Sequence, residues 1–112
     1  KERTVQPIAE QPIIEEFKRR VEQRFPRELV RLVLFGSKAR GEATPESDVD
    51  LLAVIQSDNW RLGDEVRSVG YALELEHGVV LSILVISRNH YERLRANGTQ
   101  FFHVLEQEGV VV

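Results

Sequence analysis

The sequence contains no cysteine, which excludes disulfides and thiolate metal sites and is compatible with a reducing cytoplasm. Proline and glycine are sparse, at 4 and 7 of 112 residues, and 42% hydrophobic against 29% charged residues is the balance of a globular chain, not a disordered one. Long apolar runs are missing as well. No stretch approaches the roughly 20 residues of a membrane span, and Lys1 to Glu10 lacks the apolar centre of a signal peptide. Nor is there an excess of positive charge. A formal net charge of -3 argues against a domain held on nucleic acid by a general positive field, whereas a small anionic ligand needs only a local site. These absences leave a cytoplasmic protein with neither a membrane nor a nucleic acid as expected partner. The length suits one hydrophobic core, read as a flexible lead-in over residues 1–11 and a single domain over 12–112.

Hydrophobic spacing places the elements. Ile13, Ile14, Phe17, Val21 and Phe25 recur every three or four residues and mark one buried helical face between Pro12 and Pro26. Leu29 to Phe35 is apolar except for Arg31 and stops at Gly36, which is strand length, and Val49 to Ile55 is a second such run beyond a loop over Gly41 to Glu46. Ser57 or Asp58 can cap a helix whose Leu62, Val66, Val69 and Leu73 continue to Gly78. Val79 to Ile86 reads as a third strand, with Ser87 capping a short helix through Leu94. Asn97 and Gly98 break that helix, and Phe101, Phe102 and Leu105 indicate a last one before Gly109 and the tail Val110 to Val112. The fold class is α/β (α+β), a small mixed β-sheet with flanking helices. The first two strands are joined by too short a link for a crossover of about a dozen residues, so they pair antiparallel.

The stretch that carries chemistry is Phe35-Gly36-Ser37-Lys38-Ala39-Arg40-Gly41, followed after the loop by Ser47-Asp48-Val49-Asp50-Leu51. Asp48 and Asp50 stand two apart at a strand start, so their carboxylates leave one face with Cα atoms roughly 7 Å apart. Such a pair repels and resists desolvation unless a cation meets it. Mg²⁺ suits it, taking one or two carboxylates together with substrate phosphates and water. Gly36, without a Cβ, lets backbone approach a phosphate, and Ser37 adds a hydroxyl and an N–H. Together they describe a site for a metal-bound nucleoside triphosphate.

Gly36-Ser37, ten intervening residues and Asp48-x-Asp50 resemble the signature of the DNA polymerase β type nucleotidyltransferase superfamily. The fuller runs are similar to its smallest members, the minimal nucleotidyltransferases of bacteria and archaea, and the likeness in element order spans about residue 12 to residue 108. The resemblance implies a nucleotidyltransferase fold, with Gly36 and Ser37 holding the triphosphate of ATP and Asp48 and Asp50 as catalytic residues holding Mg²⁺. The implied reaction moves a nucleotidyl group, AMP, to a hydroxyl with loss of pyrophosphate. The implied partner is a HEPN-domain protein, which such nucleotidyltransferases neutralise as antitoxins, either by attaching AMP or by complex formation. Active members also carry a third carboxylate on a later strand. Here Leu81-Ser82-Ile83 places Ser82 there, and a serine hydroxyl is neither a strong base nor a good Mg²⁺ ligand. Upstream, Glu74 and Glu76 fall at the end of a helix.

Other residues have plainer readings. Arg40 either binds the substrate phosphate or pairs with Glu42 or Glu46, and shaping the loop is the favoured role. Lys38 is expected in solvent, Ser82 as a small satisfied residue on a buried strand, and Trp60 packed near a helix start. His77, His90 and His103 lack metal-ligand spacing and are read as surface or capping residues. The basic segment from Lys18 to Arg31 reads as a solvated helix face. Phe101, Phe102 and the valine tail suit either the core or an interface, including a homo-oligomer.

Overall fold

The computed structural model describes residues 8–42 and 47–112. Helix α1 (Gln11–Arg24) carries Pro12 in its first turn, where a missing N–H removes no helical bond, and buries Ile14, Phe17 and Val21. Strand β1 (Leu29–Phe35) runs directly into a one-turn helix, α2 (Gly36–Arg40), and is followed by β2 (Val49–Ile55). Then come α3 (Trp60–His77), β3 (Leu81–Ser87), α4 (Arg88–Ala96), α5 (Gln100–Glu108) and the short β4 (Val110–Val111).

The sheet has the order β3-β2-β1-β4 and is mixed. β1 pairs antiparallel with β2, as the short link requires, and also with β4. β2 pairs parallel with β3, and α3 supplies the crossover that a parallel pair needs. The continuous apolar character of β2 follows from burial on both faces. Leu51, Ala53 and Ile55 join the core formed with α1 and α3, whereas Leu52 and Val54 join Val33, Ile86 and Leu105 on the opposite face. Gly70 on α3 is buried, and a Cβ there would overlap the Ile83 side chain, so the missing side chain is what lets helix and strand lie this close.

Several elements differ from the sequence reading. Helix α3 is capped by Asn59, whose Oδ1 accepts from the Arg61 N–H at 3.0 Å; Ser57 Oγ accepts from Asn59 instead, at 2.9 Å, one turn earlier. Helix α2 was assigned to no element from the sequence, since five residues are too few to show a helical period. It is bracketed by Gly36 and Gly41, both at φ 76°. The valine tail is a strand: Val111 and Val110 pair with Val33 and Leu34. Trp60 is 68% exposed rather than packed. As expected, Ser87 caps α4 by accepting from the His90 N–H, Gly78 ends α3 in the left-handed region, and His77, His90 and His103 are exposed. Among the described residues no helix is long and apolar enough to cross a membrane.

Candidate functional site

Three chain segments converge at one end of the sheet. Antiparallel pairing sets the end of β1 beside the start of β2, with Phe35 opposite Asp50, and parallel pairing sets Asp50 beside Ser82 on β3. Registered neighbours share a face, so Asp50 and Ser82 project to the same side, that of Leu52 and Val54. Asp48 precedes the strand and is exposed, while Asp50 is half-buried.

Gly36 closes the arrangement. Its positive φ suits glycine, and a Cβ built there would overlap the Asp50 carboxylate. The turn after β1 therefore lies directly against that carboxylate, with no side chain between. The Ser37 hydroxyl makes no hydrogen bond among the described residues and is available to a ligand.

Electrostatics mark the same spot. Burial and then the neighbouring Asp48 charge push the Asp50 carboxyl above its ordinary value, and Arg40 opposes them. Arg40 itself is engaged, donating Nε to Glu42 at 2.8 Å and Nη1 to Glu108 at 3.2 Å, which ties α2 to the end of α5. Those bonds, Glu42 first, raise its pKa further. The expected link to Glu42 is thus present, the one to Glu108 was not foreseen, and Glu46 lies outside the described residues.

The residues behind the turn correct two expectations. Lys38 is not solvated: it is 7% exposed and its Nζ meets Glu10 Oε2 at 3.0 Å. This part-buried ion pair fastens α2 to the residue before α1, within the expected lead-in. No local sequence signal announces it, because the partner is 28 residues away. Ser82 is exposed, not buried, because β3 is the sheet edge and its face there has no cover; Leu84, two residues on, is 44% exposed as well.

Among the described residues no further carboxylate fills the place beside Asp50. Glu74 accepts from the Leu81 N–H at 2.7 Å, and Glu76 is bonded by both terminal nitrogens of Arg20 at 2.9 and 3.0 Å. Among the described residues no group of three or more His, Cys, Asp or Glu is placed to hold a metal ion. The donor set among the described residues is two carboxylates, Asp48 and Asp50, with the Ser82 hydroxyl beside them.

The chain matches the nucleotidyltransferase domain over residues 14–105 and belongs to that family. It is 32% identical over 102 residues to "Putative protein adenylyltransferase MJ0604" of Methanocaldococcus jannaschii, an alignment covering 91% of this chain and 97% of that protein. The like-named MJ0141 of the same organism is 28% identical over 101 residues, covering 89% and 95%. Among solved structures, a chain from the "Crystal structure of the toxin-antitoxin with AMP-PNP" superposes with a TM-score of 0.50 at 20% identity, covering 93% of this chain and 72% of that one. That likeness is one of fold.

Proposed function

We propose that the protein is a Mg²⁺-dependent adenylyltransferase that moves AMP from ATP to a hydroxyl on a partner protein, with residues 12–112 as the transferring domain. The observation that carries this reading is the seating of Gly36 against Asp50, with Asp48 adjacent: a turn open to phosphate directly beside two carboxylates that repel each other. The names of the relatives support AMP as the transferred group and a protein as acceptor.

The donor set fits one Mg²⁺ ion, held by Asp48 and Asp50 and completed by phosphate oxygens and water. When bound, the ion neutralises the phosphates and stabilises charge building on them during displacement. The Gly36 backbone and the Ser37 hydroxyl and N–H hold the triphosphate. Arg40, tied to Glu42 and Glu108, shapes the turn and places positive charge near the phosphates. The acceptor oxygen bonds to the α-phosphorus, the bond from that phosphorus to the β-phosphate bridging oxygen breaks, and pyrophosphate leaves with its electron pair. The acceptor proton passes to water.

Ser82 favours a second reading. Exposed beside Asp50, it supplies no carboxylate to draw the proton away or to hold a second metal ion. An antitoxin that neutralises a HEPN-domain partner by complex formation would need no such group. Incubating the cytoplasmic pair with labelled ATP and Mg²⁺ separates the two: label on the partner supports transfer, and a stable unlabelled complex supports binding alone. Absence of any Mg²⁺-dependent rise in melting temperature at millimolar ATP would sink the nucleotide reading itself.

A further inference from the structure

The opposite end of β2 opens on a second cleft, of about 320 Å³, between the starts of α3 and α4. It is lined by Trp60, Arg67, His90 and Arg93, with Asp58 and Ser87 at its side. The seven residues of β2 put it about 20 Å from Asp50. The helix starts themselves offer little, since Asn59 and Ser87 already accept from their backbone N–H groups. What the cleft presents is side chains.

Those side chains form an unusual set. Trp60, the chain's single tryptophan, is 68% exposed, and the Arg61 guanidinium lies 5.2 Å from its ring centroid. Arg93 and His90 have no side-chain partner among the described residues. Arg67 is held by Asp64, and Asp58, the acidic group on the lining, accepts from Asn89 at 2.9 Å. A chain with net charge -3 thus collects cations around an open aromatic ring in a cleft of small-ligand size. The ring offers a stacking surface to a planar base, and arginines on the same lining offer forked donors to a phosphate.

We infer that this cleft binds a nucleoside monophosphate, its base on Trp60 and its phosphate on Arg93 and Arg67. The site is separate from the one beside Gly36 and does not rest on the transferase reading. Because Trp60 is the single tryptophan, its fluorescence reports on this cleft. Titration with AMP in EDTA, followed by fluorescence and calorimetry, is expected to saturate below millimolar concentration. Adenosine and inorganic phosphate should each bind at least about tenfold more weakly, and Arg93→Ala with Arg67→Ala should weaken AMP by about tenfold or more. Asp48→Asn with Asp50→Asn should leave the AMP titration unchanged even where it abolishes stabilisation by MgATP. The inference is overturned by the absence of heat and fluorescence change at millimolar AMP, by equal binding of AMP and adenosine, or by loss of AMP binding in the aspartate variant.

Discussion

Strand β2 carries opposite chemistry at its two ends. Its start holds Asp48 and Asp50, crowded by a glycine turn and raised in pKa at Asp50; its end reaches a cleft of exposed cations around Trp60. Between them Leu51 to Ile55 are buried and form core on both faces. At the cleft Arg93 stands in solvent, where an unpaired charge costs little, and Arg67 is held by Asp64. Asp48 is exposed too, but Asp50 is half-buried, and Arg40, which opposes its shift, is shared with Glu42 and Glu108. A charge made unfavourable by its surroundings in this way is the kind of feature that clusters at functional sites, where it costs stability.

The largest effect is expected at the acidic end. Asp48→Asn with Asp50→Asn should abolish the rise in melting temperature with MgATP and lower transfer of label by at least about 100-fold. A retained rise would place the triphosphate elsewhere, and the contrast between the two ends would fail. Next in size is Lys38→Ala, which leaves Glu10 buried without its cation. Urea denaturation should show a loss of about 3 kcal/mol, and a loss below roughly 1 kcal/mol would mean the pair behaves as a surface one.

Ser82→Asp sharpens the comparison by adding a third carboxylate in register with Asp50. Transfer should rise about tenfold in Mg²⁺ if an acceptor base is what the site lacks; no change would leave complex formation as the better reading. The smallest effect concerns stability and pH. Because the folded Asp50 pKa lies above its unfolded value, the folded state holds that proton more tightly. The stability this contributes is present in acid and is lost as pH rises through the raised pKa. Asp50→Asn should therefore raise the melting temperature of the ligand-free protein by a few degrees at neutral pH. The gain should vanish below the ordinary carboxylate range.

Much of the candidate site was legible before the fold. Gly36, Ser37, Asp48 and Asp50 lie close in sequence, and their types and spacing express demands that are themselves local: a positive φ, a period of two, and paired charge needing a cation. Helix faces were legible for the same reason, as Ile14, Phe17 and Val21 show. Lys38 was not. Its neighbours suggest solvent, and only the arrival of Glu10 from before α1 turns it into a part-buried ion pair. Ser82 was misread because an apolar run looks alike in a central strand and at an edge; exposure depends on which strand stands last in the sheet.

By itself the sequence determined the order of the elements apart from α2 and β4, the antiparallel start of the sheet and the candidate acidic pair, because periodicity, turn chemistry and short links act over neighbouring residues. Only the tertiary structure decided that Gly36 abuts the Asp50 carboxylate, that Ser82 stands open beside it, and that cations gather around Trp60 at the far end of β2. Those facts follow from strand register and helix placement, which are set by how distant apolar faces cover one another.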